Sequence, residues 1–292
     1  MGDENSSRGL LGQSGSGLPW RNCVRLARRK ARFRLAQAVG RSPVYVYQMG
    51  KVGSSALVQL VDSVPGFFAI QAHRLMPDRC KEIQARFDSG EHYVSDMRFE
   101  QWLFRGLVSG GEKPVRIITA VREPMAHSYS AFFQNIRRST HGEVESAASA
   151  DLGALRRHFL EWKELGGALT WLDLEASRLT KTDLLAQPFD KALGWGRVDH
   201  GRFSVLILKS ELDDARKREA VGDFLERVPG PLSRANQASD KQYAKAYRRF
   251  IETVKLPAER AKRFARHRYT QHFYTDAEID AALARFSDRG SP

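Results

Sequence analysis

The chain has 292 residues, 42% of them hydrophobic and 28% charged, which suits one globular domain with appendages, large enough to bury a sizeable core. No apolar run approaches the roughly 20 residues that a bilayer-spanning helix needs, and two cysteines, Cys23 and Cys80, can build neither a disulfide framework nor a zinc cluster. The formal net charge of +13 attracts polyanions, but nucleotides, acidic glycans, nucleic acid and anionic membranes all satisfy it equally.

Residues 1–20 are polar and rich in Gly and Ser, so they read as disordered and do not resemble a secretory signal. That leads to the expectation of a cytoplasmic protein, at most peripheral to the inner membrane. Arg21 to Gln37 follows as a basic helix in which Leu26, Phe33 and Leu35 are interleaved with arginines. Such a helix suits an anionic membrane surface, and equally a solvated tail or a helix packed on the domain. The expected division is therefore an N-terminal extension over 1–42 and an α/β domain over 43–292.

Within the domain the periodicity predicts strands at 44–48, 66–71, 115–120 and 204–209, with a marginal strand at 92–95. Helices are predicted at 54–64, 77–88, 97–109, 124–138, 151–166, 175–186, 212–227, 239–252, 257–267 and 276–286. Strands alternating with helices imply a parallel sheet covered on both faces, with ligands beyond the strands' C-terminal ends. The small, polar stretch 139–150 and the Gly-flanked stretch 194–201 read as loops.

The first strand runs into Gly50-Lys51-Val52-Gly53-Ser54-Ser55 and then into helical spacing. Glycines let backbone N–H groups approach an anion, the helix N-terminus adds partial positive charge, and Lys51 adds a full one. The loop is thus suited to a phosphate. It is not an NTPase loop, because Val52 rather than Ser or Thr follows the lysine and no glycine stands at position 45. The dinucleotide fingerprint G-x-G-x-x-G fails as well. A second strand-turn-helix unit carries Arg122 at the strand end, Pro124 in the first helical turn, and Ser130 eight residues beyond the arginine.

The Lys-x-Gly-Ser-Ser loop and the Arg-Glu-Pro…Ser-Ala-Phe segment together resemble sulfotransferases that use 3′-phosphoadenosine 5′-phosphosulfate (PAPS). The resemblance runs from about Val44 to about Phe286, and its nearest branch is bacterial and labelled as capsular polysaccharide synthesis. Later landmarks are Ser204 to Leu212, Asn236 to Tyr243, and His272 to Ile279. A departure is His127, where many carbohydrate sulfotransferases carry arginine. The resemblance implies a P-loop-like parallel sheet with helices on both faces and a helical C-terminal part. It implies that Lys51, Val52, Gly53, Ser54 and Ser55 hold the 5′-phosphosulfate, and that Arg122 and Ser130 hold the 3′-phosphate. It implies PAPS as co-substrate, adenosine 3′,5′-bisphosphate as product, a hydroxyl acceptor from a glycan, and neither a metal nor a specific nucleic acid as partner.

Sulfuryl transfer has a loose transition state, so alignment and charge stabilisation carry it. Lys51 is the candidate for neutralising the leaving phosphate. His73 emerges after the second strand on the same sheet edge, with a pKa range suited to taking the acceptor's proton. His92, Asp96, Glu100 and His127 are alternatives for that role. Trp195, Phe273 and Tyr274 are candidates for stacking on adenine, with core packing as the competing fate. Asn236, Lys241 and Tyr243 resemble a late nucleotide-contacting loop. Two other classes stay open at this point: a P-loop kinase or NTPase, and a basic, non-catalytic polyanion-binding module.

Overall fold

Val44, Val46, Ile117, Ile118, Leu206 and Leu208 are all fully buried, because their strands are covered on both faces. The structure, a computed structural model, describes residues 20–86, 91–144, 151–162, 165–232 and 241–288. Residues 1–19 of the stretch 1–20 expected to be disordered, residues 145–150 of the predicted loop at 139–150, and Asn236 lie outside the described residues, whereas Trp20 is the first residue of a helix.

Five strands form one sheet: β1 (Ser42–Tyr47), β2 (Phe67–Ala72), β3 (Val115–Val121), β4 (Trp195–His200) and β5 (Phe203–Lys209), in the order β2-β1-β3-β5-β4. The pairs β1–β2, β1–β3 and β3–β5 are parallel, and β4 is antiparallel to β5. Helices α1 (Trp20–Ala38), α2 (Ser54–Asp62), α3 (Pro77–Arg86) and α4 (Glu91–Ser109) accompany the first strands. Between β3 and β4 lie α5 (Pro124–Gln134), α6 (Ile136–Ser139), α7 (Leu152–Glu161), α8 (Gly167–Trp171) and α9 (Ser177–Thr180). After β5 come α10 (Asp214–Leu225), α11 (Lys241–Thr253), α12 (Ala258–Arg266), α13 (Arg268–Phe273) and α14 (Asp276–Phe286). This is a mixed α/β fold with a helical C-terminal part.

Side chains alternate across the sheet and sort the helices to its faces. Gln71 reaches Ser54 of α2 on one side, while Phe68 meets Phe33 of α1 edge-on from the other. On the α1 side Tyr47 packs on Trp171. The C-terminal helices add a second, aromatic core in which Tyr129, Phe132 and Phe133 of α5 meet Phe159, Phe250 and Phe286.

Several sequence expectations need correction. The stretch 194–201, expected as a loop, holds β4, bracketed by Gly194 and Gly201 at φ 79° and 55°. As an edge strand it buries only Val198, so its exposed Arg197, Asp199 and His200 hide it from a hydrophobic count. The marginal strand at 92–95 is instead the first part of α4. The predicted helix at 124–138 breaks at Asn135 into α5 and α6. The predicted helix at 175–186 starts earlier: α8 and α9 are continuous through a π-helical turn at Leu172–Ala176, and a short 3-10 turn follows at Leu184–Ala186. The basic N-terminal helix is docked on the domain. Arg29 pairs with Asp96 at 2.6 Å and stacks over Phe99, and Phe33 packs edge-on against Trp102.

Candidate functional site

β1 leads through α2 to β2 on one side of it, whereas β3 lies on its other side. Between β1 and β3 the order of the sheet reverses, and open α/β sheets bind their ligands at such a point, beyond the strands' C-terminal ends. Both phosphate-suited loops flank this point.

The first loop leaves β1 at Gln48, whose amide carbonyl accepts from the backbone N–H of Ala120 on β3 at 3.2 Å. Lys51 and Gly53 adopt left-handed backbone, φ 69° and 79°. For glycine this conformation is free, but for a lysine it costs on the order of 1 kcal/mol. Gly53 precedes α2 and offers no side-chain cap, which leaves the first-turn N–H groups available to an anion. Val52 is buried, so only its backbone can serve a ligand; Gly53 and Ser55 are exposed, and Ser54 is half-buried. Burial, then the nearby Arg122 charge, lowers the pKa of Lys51.

The second loop leaves β3 at Arg122. The Tyr269 hydroxyl, fully buried, accepts from the Arg122 N–H and donates to its carbonyl, both at 3.0 Å, and so fixes the backbone. Glu123 caps α5 by accepting from the N–H groups of Met125 and Ala126 at 3.0 and 2.6 Å. Its burial pushes its pKa up to about 7 despite those bonds, and neighbouring Glu211 adds to the rise.

Two contacts stitch the loops together. Arg122 Nη1 donates to the Lys51 carbonyl at 2.7 Å, and His127 Nε2 donates to the Gly50 carbonyl at 2.9 Å. A ring that donates from Nε2 and is neutral carries its lone pair on Nδ1, and that atom is buried without a partner. Burial, then the charges of Arg122 and Lys51, outweighs the Gly50 bond and lowers the His127 pKa to about 4. His127 is therefore neutral, and supports the loop as an uncharged donor.

Ser130, half-buried, lies beside Arg122, and the Tyr247 hydroxyl hydrogen-bonds to the side chains of both. Sequence reasoning missed Tyr247. Its only signal is its place on an amphipathic helix that also carries Phe250, and it is α11 packing on α5, Tyr247 against Phe133, that delivers it. Lys241 opens α11, so it and Tyr243 begin a helix; nothing is described of their side chains.

His73 follows β2. Its Nδ1 faces the Gln48 carbonyl at 2.8 Å, so the proton sits there and the Nε2 lone pair faces outward to Gln71 Nε2 at 3.1 Å. The same Gln71 amide donates to Ser54 Oγ at 3.1 Å, linking the histidine to the phosphate loop. The backbone of His73 is pinned from both ends, its N–H by Glu100 at 2.6 Å and its carbonyl by Trp171 Nε1 at 3.0 Å. Burial lowers the His73 pKa.

The alternatives to His73 have other employment. Asp96 is paired with Arg29 and Arg25, at 2.6 and 3.4 Å. Glu100 is buried and accepts from the N–H groups of His73 and Arg74. His92 lies in α4, and its side chain is outside the description. A further carboxylate, Glu175 on the π-helical turn, accepts from the Tyr47 hydroxyl and the N–H groups of Leu75 and Met76, which holds the segment after His73. Of the adenine candidates, Phe273 and Tyr274 are core residues, 0% and 2% exposed. Trp195 sits on β4, two strands from β3, or about 10 Å across the sheet. Among the described residues no group of three His, Cys, Asp or Glu side chains could hold a metal.

One comparison with known proteins gives a match. A family model described as "Putative capsular polysaccharide synthesis protein" matches residues 158–275. That segment carries β4, β5, Glu211, Tyr247 and Tyr269, and lies wholly outside the loops at 51 and 122. No curated protein and no solved structure is matched by the chain.

Proposed function

We propose that the protein transfers a sulfuryl group from PAPS to a hydroxyl of a carbohydrate acceptor, on a P-loop-like sheet of the sulfotransferase type. The observation that supports this reading is the Arg122–Lys51 contact, by which the two phosphate-suited loops meet at the switch point. A nucleotide with a phosphate at each end of its ribose needs two such loops next to each other. The family match adds a link to capsular polysaccharide synthesis.

In this reading the amides of the 51–55 loop and the Ser54 and Ser55 hydroxyls hold the 5′-phosphosulfate. Arg122, Ser130 and Tyr247 hold the 3′-phosphate, for which a planar guanidinium is well shaped. The acceptor oxygen attacks sulfur, the bond from sulfur to the bridging oxygen breaks, and Lys51 neutralises the charge that builds on that oxygen. The acceptor's proton passes to Nε2 of His73, whose tautomer already leaves that nitrogen unprotonated. Adenosine 3′,5′-bisphosphate leaves.

Calorimetric titration with adenosine 3′,5′-bisphosphate tests this. Wild type should bind it in preference to ATP with magnesium. Arg122→Ala should weaken binding about 10- to 100-fold, the worth of a charge-assisted pair at roughly 1.5–3 kcal/mol. Lys51→Ala should act chiefly on turnover, read as release of the bisphosphate from PAPS. Absence of binding, or unchanged affinity in Arg122→Ala, overturns the reading.

A further inference from the structure

The transfer reaction makes no use of α1, whose 19 residues include six arginines and one lysine but no acidic side chain. Its inner face is spent on the fold: Arg29 and Phe33 meet α4, and Ala36 is buried. Its outer face is different. Arg21, Arg28 and Leu35 recur at seven-residue spacing, two turns apart, and all three are exposed. Trp20, Leu35 and Val39 are 71%, 66% and 66% exposed. Val108, at the end of the neighbouring α4, is 64% exposed. Among the described residues, three of the five exposed large hydrophobic side chains therefore lie on α1 or directly after it, and a fourth ends the helix packed against it.

We propose that this flank is a docking surface for an anionic lipid membrane. The charge alone does not select the occupant. A glycan or nucleic-acid polyanion would be matched by the arginines, but gains nothing from exposed leucine, valine and tryptophan. A bilayer interface with anionic headgroups takes both, with apolar side chains below the headgroups and guanidinium groups among them. No described helix is long and apolar enough to cross the membrane, so the helix lies on the surface.

The placement has a consequence for the site. α1 and α4 run in the same direction, with Arg29 beside Asp96 and Phe33 beside Trp102. His73 is tied to the same helix, its N–H donating to Glu100 of α4, four residues beyond the Asp96 that pairs with Arg29. A membrane-bound α1 thus brings the His73 end of the site close to the headgroups.

The test is cosedimentation of the full chain with vesicles, and it does not depend on the transfer reaction. Wild type should pellet with vesicles of equal phosphatidylglycerol and phosphatidylcholine at about 0.1 M salt, and not with pure phosphatidylcholine. Arg28→Glu and Leu35→Glu should each weaken partitioning at least about tenfold, while thermal unfolding stays as in wild type because both side chains point to solvent. Failure to pellet with the anionic vesicles overturns the proposal, as does wild-type partitioning in both variants. Loss in Arg28→Glu with full retention in Leu35→Glu also overturns it, since that pattern marks a site for polyanions in general.

Discussion

Acidification should destabilise the protein through His127, and the size of the effect follows from its surroundings. The ring is enclosed between the two loops, donates from Nε2 to the Gly50 carbonyl, and faces the charges of Lys51 and Arg122. Its pKa of about 4 lies below the ordinary value of 6.5. The unfolded ring takes a proton near 6.5, whereas the folded ring refuses one until about 4. Its contribution to stability is therefore complete above pH 6.5 and is lost as pH falls toward 4. At 1.36 kcal/mol per pH unit the full loss is about 3 kcal/mol, and about 2 kcal/mol is gone at pH 5. Glu123 runs the other way: with its pKa raised to about 7, its contribution is complete below 4.5 and fades as pH rises through 7. Comparison with His127→Gln cancels that opposing trend, because glutamine keeps a donor for Gly50 and does not titrate. Urea unfolding at pH 7 and pH 5 should show wild type losing about 2 kcal/mol more than the variant over that interval. Parallel pH profiles would refute the assignment of a neutral, enclosed His127. Adenosine 3′,5′-bisphosphate should flatten the wild-type profile, since its phosphates offset both flanking charges.

Three other outcomes follow from the same geometry. Gln71→Leu removes the donor that occupies the His73 lone pair, so the His73 ring resonances should titrate at higher pH, and the acid limb of turnover should move up with them; an unmoved titration contradicts the Gln71 contact. Tyr247→Phe should cost about 1 kcal/mol of affinity for adenosine 3′,5′-bisphosphate and leave adenosine 5′-monophosphate binding unchanged. Equal losses for both nucleotides would remove Tyr247 from the 3′ end. Glu278→Ala strips the carboxylate from Lys209, whose side chain is 4% exposed, and leaves its ammonium with the Lys191 carbonyl and the face of the Tyr274 ring. Unfolding free energy should drop by about 3 kcal/mol, and a drop below about 1 kcal/mol would mean that water already reaches the ammonium.

Much of the fold was readable because buried parallel strands write themselves as continuous apolar runs. β1, β2, β3 and β5 stand within two residues of their expected places. β4 was not readable, since an edge strand with one inward apolar residue carries no such run. The π-helical turn was also invisible: nothing in Leu172–Ala176 departs from helical composition, and only packing turns Glu175 inward to Tyr47. Both phosphate-suited loops were legible because they are local, each a strand, a small-residue turn and a helix start within a dozen residues. The adenine candidates misled because an aromatic side chain has the same signature in a core as in a pocket, and Phe273 and Tyr274 are in the core.

By itself the sequence determined two strand–turn–helix units with a phosphate-suited loop in each, since turn conformation and helix N-termini depend on residues a few positions apart. Only tertiary structure decided that β1 and β3 are neighbours, and hence that Arg122 reaches the Lys51 carbonyl. It likewise decided that His127 is a neutral strut, that Tyr247 arrives from more than a hundred residues away, and that Tyr269 locks the Arg122 backbone. The physical reason is that strand order and helix docking are set by how the whole apolar surface is best buried. No local window of the chain contains that quantity.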